Sequence, residues 1–400
     1  MNLVQKYGGD YLRNMDDIRR IADYVSRTHT IGEGLVIVVA AMHEIAAATI
    51  DRADEFGEDI SRRETNSLFA SCEIQTAALV AAALDKEGVD AVSLADIKGH
   101  SLGIVEVEEG KHEIELGEIK KALDSGKVAV VAGFQGIGEF DMSDRLGRYG
   151  AAATAVAIAA GMECDCELYG NTKGIYTVEP EGNETGKLIP KICYDEAMEM
   201  LLLGESDLES RAIELANNFG VKIYVGPAFD TDKSGGTYIM DRKIIVQEGA
   251  VTGIRTSNNI VVYTMRGIPV HGDAIAELFE MLGDMSVNID VISQQTCTAE
   301  TCALSFSCDS DNIEIIDKAL DSNVRFRELD ITKEENICLV SLIGVGMASH
   351  VGVAGKTFAV LAQNGIRHYN ITTSEISISA VIDADKRADA IIALSEAFNL

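Results

Sequence analysis

Glycines at the end of an apolar strand or the start of a helix can hold an anion, the more so with a cation close by, and the chain has three glycine stretches to consider. Lys6-Tyr7-Gly8-Gly9 closes an apolar run at the N-terminus. Glycines there let backbone N–H groups approach phosphate oxygens, and the lysine neutralises charge. Gly133-Phe134-Gln135-Gly136 follows a second apolar run, and Leu146-Gly147-Arg148-Tyr149-Gly150 leads into an alanine-rich segment. A helix N-terminus preceded by glycine and arginine is a natural anion site. The competing reading is that each is a tight turn whose glycines serve only the backbone. Two further glycine patterns are decoys. Gly352-Val353-Ala354-Gly355-Lys356-Thr357 ends like a phosphate-binding loop, but that spacing needs glycine where His350 stands. Gly133, Gly136 and Gly138 are not in dinucleotide-binding order.

The elements that must position these groups read as alternating strands and helices. Leu35-Val36-Ile37-Val38-Val39 and Lys127–Ala132 are short continuous apolar runs, as expected of strands covered on both faces. Glu73–Leu84, Ala151–Gly161, Asp195–Leu203 and Ser210–Phe219 read as helices, the second with so few polar groups that it should be buried all round. The expected fold class is α/β, an αβα sandwich with a mainly parallel sheet. Ligands of such sheets bind at the strand ends, where the three glycine stretches would converge.

The pattern changes after the turn-rich loop Asp230-Thr231-Asp232-Lys233-Ser234-Gly235-Gly236. Beyond it a βαββαβ order occurs twice. The first copy has a strand at Ile260–Tyr263, a helix at Asp273–Gly283, and strands near Asn288–Ile292 and Thr301–Cys308. The second has a strand at Cys338–Leu342, a helix at Val353–Gln363, strands near Tyr369–Thr373 and Ile376–Ile382, and a helix at Asp385–Phe398. This is an internal repeat of two ferredoxin-like modules, which pair side by side and hold small ligands at the seam. The expected division is residues 1–240, 250–332 and 333–400.

Composition narrows the partners. The 400 residues carry 64 Asp plus Glu against 34 Lys plus Arg, a net charge of −30. Such a surface repels nucleic acid and anionic lipid, so neither is expected as a partner. No stretch is read as approaching the ~20 apolar residues of a membrane span, and the N-terminus lacks a signal-peptide order. A cytoplasmic location is the expectation. The eight cysteines include no CxxC pair, so they read as reduced core thiols and no metal site is expected.

In order along the chain, Lys6-Tyr7-Gly8-Gly9, Val38-Val39-Ala40-Ala41-Met42, Cys72-Glu73, Gly133-Phe134-Gln135-Gly136, Leu146-Gly147-Arg148 and Arg211–Ala216 resemble the signature blocks of aspartokinases. Gly344–Ala354 and Thr372–Ile378 are similar to the second ACT domain of that family, and Asn288-Ile289-Asp290 to the first. The resemblance covers essentially the whole chain. It implies an amino-acid-kinase fold followed by two ACT domains. It also implies ATP with Mg²⁺ as phosphoryl donor and the side-chain carboxylate of L-aspartate as acceptor, at the entry to lysine, threonine and methionine synthesis. Residues carried over as catalytic are Lys6, Glu73 and Arg148; those carried over for the nucleotide are Gly8, Gly9, Lys173, Gly174 and Lys187.

The departures bear on activity. Where the family has two hydroxyl residues after its Lys-x-Gly-Gly, this chain has Asp10 and Tyr11. The family's Ser and Thr around its Ala-Met pair are Ala40 and Ala46, and its Ser-Asp after the glycine–arginine stretch is Ala151-Ala152. Cys72, Ile74 and Tyr149 replace a glycine, an arginine and a glycine. The acids of its nucleotide loop are absent from Tyr169-Gly170-Asn171-Thr172-Lys173-Gly174, and its His-Pro is Glu209-Ser210. Removing one transition-state donor costs ~10²–10³ in rate, and methyl groups offer no replacement. Phosphotransfer is therefore expected to be weak or lost. The alternatives are a site rebuilt from Asp10, His43, Glu44, Asn171 and Lys173, or transfer to another small carboxylate or carbamate. The ACT effector residues carried over are Asn288, Asp290, Gln294, Ser349, His350, Gly352, Thr373 and Glu375, for an amino acid such as lysine or threonine. The family turn in the first module has become Val270-His271-Gly272-Asp273. A homo-oligomer is expected, or a hetero-oligomer with an active aspartokinase; that the ACT pair only dimerises is the plainer alternative.

Overall fold

The structure is a computed structural model that describes residues 2–30, 32–57, 61–94, 104–108, 111–114, 116–133, 150–179, 186–204, 208–245, 249–270, 273–289, 291–298 and 300–400. The chain divides into two compact units.

The first unit begins with β1 (Leu3–Tyr7), α1 (Met15–Thr28), β2 (Leu35–Val39), α2 (His43–Asp54), α3 (Arg62–Lys86) and β3 (Ala91–Leu94). A hairpin of β4 (Ile104–Glu108) and β5 (Lys111–Ile114) precedes α4 (Gly117–Asp124) and β6 (Val128–Ala132). Then come α5 (Ala151–Gly161), β7 (Asp165–Tyr169), β8 (Lys191–Cys193), α6 (Tyr194–Leu202), α7 (Ser210–Phe219), β9 (Ile223–Val225) and β10 (Thr237–Met240). Eight of these strands form one sheet in the order β3-β6-β2-β1-β7-β9-β10-β8. All its pairs are parallel except β9 with β10.

Alternation along β1 divides the two faces. Tyr7, with Ile37, Val39, Val130 and Tyr169 from its neighbours, packs against Ile18, Ile21 and Val25 of α1 and Val80 and Leu84 of α3. On the other face α5 packs on β1, β2 and β7 and against α7. Every residue from Ala151 to Ala159 is buried; small side chains let this helix approach the sheet closely, and it has no polar stripe to present to water. The αβα sandwich with its mainly parallel sheet is thus as expected.

Helix α3 corrects one expectation. By length and composition its Ser67–Lys86 stretch is apolar enough to cross a membrane, although no stretch had been read as coming close. The stretch packs against α1, β3 and β6, with Ala77, Val80, Ala81 and Leu84 buried in the core.

The second unit contains β11 (Gly253–Pro269), α8 (Ala274–Asp284), β12 (Val291–Thr296), β13 (Thr301–Asp309), α9 (Ile313–Ser322) and β14 (Asp330–Ile343). It continues with α10 (Val353–Gln363), β15 (His368–Thr373), β16 (Ser377–Asp383) and α11 (Arg387–Phe398). The strands make one antiparallel sheet, β12-β13-β11-β14-β16-β15. Both ferredoxin-like modules are present, but they share strands. Residues Ile260–Pro269 of β11 pair with β13, whereas Gly253–Ser257 of the same strand pair with Leu339–Ile343. The second module ends in a helix, and Gly253–Ser257 supplies the strand its pattern lacks. Strand β14 runs unbroken across the 332/333 division. Helices α8 and α9 cover the first core, around Tyr263, Leu278 and Phe306. Helices α10 and α11 cover the second, around Leu342, Leu361 and Leu394. Thr177–Glu179, which lie between β7 and β8 in sequence, also belong to this unit. The Ile254 N–H donates to Thr177 O at 2.7 Å, Val178 is buried in the second core, and Glu179 faces Arg255 at 3.5 Å.

Candidate functional site

The parallel strands of the first unit end together, so their loops meet above the sheet. There β1 runs into Gly8-Gly9-Asp10, and β7 into Gly170-Asn171-Thr172. The two loops and the start of α5 border a half-open cavity of about 90 Å³ lined by Lys6, Gly9, Ala152, Leu168, Tyr169, Gly170, Asn171, Thr172, Leu208, Glu209 and Val225.

The β1 and β7 ends are held in register from below. The Gln5 side-chain N–H donates to the buried Glu167 carboxylate at 2.8 Å, the Tyr169 hydroxyl donates to the same carboxylate, and Lys233 pairs with it. The Tyr7 hydroxyl donates to the Gln5 side-chain oxygen at 3.1 Å. Burial pushes the Tyr7 and Tyr169 hydroxyls and the Cys166 thiol well above their ordinary pKa values, so these groups stay protonated and supply no base. Alternation places Lys6 on the opposite face, directed into the cavity. A methyl group on Gly8 would lie 2.9 Å from its ammonium nitrogen.

Several of the described backbone donors around this cavity already have partners within the chain. The Gly8 N–H donates to Tyr169 O at 3.0 Å, Tyr11 N–H to Gly8 O at 3.2 Å, and Leu12 N–H to Gly9 O at 3.0 Å. The Asp10 N–H donates to the Asn171 side-chain oxygen at 3.0 Å. Gly9 sits at φ +52° with that oxygen 2.1 Å from where a Cβ would stand; it must be glycine on both counts. At α5 the Ala152 and Ala153 N–H groups donate to the two Glu209 carboxylate oxygens at 3.3 and 3.1 Å. Gly150 has no side chain to cap the helix, and a Cβ there would fall 1.9 Å from a Glu209 oxygen. A carboxylate at a helix N-terminus is stabilised by the unpaired N–H groups and the helix dipole.

The comparisons with known proteins fit this geometry. The family described as "Amino acid kinase family" matches residues 1–227, and the one described as "ACT domain" matches residues 340–398. The chain is 34% identical over 404 residues to the aspartokinase of Bacillus sp. (strain MGA3), covering 100% of this chain and 97% of that one. This protein belongs to the aspartokinase family. It is also 32% identical over 403 residues to the Geobacillus stearothermophilus aspartokinase, covering 100% of this chain and 97% of the relative. The solved structure of E. coli aspartokinase III in complex with aspartate and ADP superposes with a TM-score of 0.73, covering 100% of both chains at 19% identity, a likeness of fold.

Within this aspartokinase homologue the carried-over residues are scattered. Lys6 and Gly9 line the cavity and Gly8 adjoins it; Glu73, Lys173, Gly174 and Lys187 are not among its walls. Glu73 lies half-buried on α3, Gly174 is buried at φ +127°, and Lys173 and Lys187 are exposed. Arg148 lies outside the described residues. Of the five side chains considered for a rebuilt site, Asn171 lines the cavity, whereas Asp10, His43, Glu44 and Lys173 do not. Tyr11, in place of a family hydroxyl, faces away: its oxygen accepts the Ala228 N–H at 3.1 Å and its ring packs on Phe229.

The residue that sequence reasoning passed over is Glu209. A carboxylate in place of the family's His-Pro was the available signal, but its reach from the start of α7 to the start of α5 follows only from the packing of those helices.

The effector residues fall at opposite edges of the ACT sheet. Asn288 precedes the edge strand β12 and Gln294 lies on it, both exposed; Asp290 lies outside the described residues. Thr373 ends the other edge strand, β15, and Glu375 follows in the turn. Gly344 N–H donates to Ile376 O at 2.8 Å, so the Ser349–Gly352 turn starts at the same end of that module as Glu375. In this turn His350 Nδ1 lies 2.8 Å from Gly346 O, the Ser349 hydroxyl donates to the same oxygen at 3.0 Å, and Gly352 takes φ +97°.

Proposed function

We propose that this aspartokinase-family protein has weak or lost transfer of phosphate from Mg-ATP to L-aspartate, and that its ACT pair gives it a regulatory or oligomer-forming role. Phosphoryl transfer between two anions depends on cations and N–H donors aimed at the reacting oxygens. The observation that carries the reading is that three backbone donors around the cavity are directed at the chain's own side chains. Asn171 takes the Asp10 N–H, and Glu209 takes those of Ala152 and Ala153. A fixed carboxylate in this position opposes the approach of a phosphate or a substrate carboxylate. Among the described residues Lys6 supplies a cation to the cavity walls. Its charge suits ATP with Mg²⁺ as substrate, and it would neutralise one phosphate oxygen.

The ACT modules present acceptors suited to an ammonium group, Asn288 and Gln294, and a glycine-containing turn at Ser349–Gly352 suited to a carboxylate. The two sit apart, the acceptors at the β12 edge of the sheet and the turn in the other module, so within one chain an amino-acid effector such as lysine or threonine would meet one of them and not both; assembly with a further copy or with an active aspartokinase is the other role proposed. The second reading, a working kinase of aspartate or another small carboxylate, is favoured by the presence of Lys6 and Glu209 in one cavity, since Glu209 could take over the part of the acid missing at Ala152. The test is aspartate-dependent ADP release by the purified protein at saturating Mg-ATP. The expected rate is at least ~10²-fold below a typical enzyme turnover of ~10 s⁻¹. An ordinary turnover, abolished by Lys6→Ala, would establish the second reading instead.

A further inference from the structure

We propose that Glu209 is a specificity-determining residue of the cavity: its carboxylate is a built-in occupant of the anion position beside Lys6, excluding small oxyanions until its charge is removed. The inference deepens the reading of weak phosphotransfer and rests on it. Three observations carry it. The Glu209 side chain makes no bond to its own helix α7, whose first turn is closed by the Glu209 carbonyl accepting the Ala212 N–H at 3.0 Å. The carboxylate instead grips α5 through both oxygens. The α5 start is cleared to receive it, with glycine at position 150 where any Cβ would collide with the carboxylate and alanines at 151–153 that bring no competing polar group. Glu209 is also a wall of the same half-open cavity as Lys6, Asn171 and Thr172. The carboxylate therefore meets two N–H donors in a cavity that also holds a lysine, the environment an incoming phosphate or carboxylate would seek.

The class of ligand excluded is the small oxyanion, whether the phosphate of a nucleotide or the carboxylate of an amino acid. Calorimetric titration of the full chain and of Glu209→Gln and Glu209→Ala, separately with inorganic phosphate, ADP and L-aspartate, tests this and distinguishes the two sources. The glutamine variant keeps the side-chain shape and one acceptor oxygen, so the fold has its cap; circular dichroism checks both variants. The expected result is binding at least ~10-fold tighter to Glu209→Gln than to the unmodified chain for one or more of the three anions, with a further gain in Glu209→Ala. A purely structural cap predicts a lower melting temperature with unchanged anion affinity. Unchanged or weaker binding in the folded glutamine variant overturns the proposal. Failure of the underlying reading shows separately, as ordinary aspartate-dependent turnover in the unmodified protein.

Discussion

Restoring the missing acid is expected to fail while Glu209 remains charged. In Ala152→Asp the new carboxylate enters a buried position whose own backbone nitrogen lies 3.3 Å from a Glu209 oxygen. Two carboxylates about 4 Å apart, at an effective dielectric of about 20, repel by about 4 kcal/mol. Protonating the introduced Asp carboxyl at pH 8 would cost about 5–6 kcal/mol from its ordinary value, so that route gives no cheaper escape. Overfilling the site adds about 1–3 kcal/mol of its own, and Ala152→Asn isolates that part because it has the same shape without the charge. The assay is urea unfolding at pH 8 of Ala152→Asp and Ala152→Asn, each in the unmodified and the Glu209→Gln background. The expected gap between Asp and Asn is about 4 kcal/mol in the first background and below about 1 kcal/mol in the second. If Asp and Asn cost the same within about 1 kcal/mol while Glu209 is intact, the carboxylate does not hold the position argued for it.

Two further outcomes follow from the same interactions. Lys233→Met leaves the buried Glu167 carboxylate without its cation and is expected to cost about 3–5 kcal/mol in chemical unfolding, against a much smaller loss for the double change with Glu167→Gln. Arg325 bonds Asp273 and Glu277, each at 2.6 Å, and its hydrogen bond holds the Asp273 carboxyl below its ordinary pKa of 3.8. A depressed carboxyl stabilises the fold above its unfolded value and loses that contribution as pH falls through the folded value. Arg325→Met should therefore be less stable than the parent at pH 7, the difference closing below pH 3.8; a difference that persists in acid would contradict this.

Much of the architecture was legible because burial imposes composition. Leu35–Val39 reads as a strand covered on both faces, and Ala151–Gly161 as a buried helix with few polar groups; both begin and end as read. The repeated order of the second half also gave both ACT modules. Strand β11 was harder to see. Its middle, Ser257-Asn258-Asn259, consists of turn formers, and the register shifts there. The strand therefore read as starting at Ile260 rather than Gly253. Helix α2 was missed because none of its residues is fully buried and Ile45 packs only partly against the core, so its apolar stripe is faint. The site was legible in outline only. Lys6 and the glycines announced a strand-end cavity, but which acceptor each N–H would find depends on side chains distant in sequence, and no local pattern encodes that.

The strand shared between the two ACT modules makes them unsuitable as interchangeable cassettes. A fragment starting at residue 333 would lack Gly253–Ser257 and leave the backbone of Leu339–Ile343 without its neighbour on that side, an open border ready to recruit other chains. A fragment stopping at residue 332 would keep only the first three of the 14 residues of β14. Chimaeras with relatives should therefore exchange the pair whole, with joints outside Gly253 and Phe398 and with Thr177–Glu179, which bond Ile254 and Arg255, taken from the same parent.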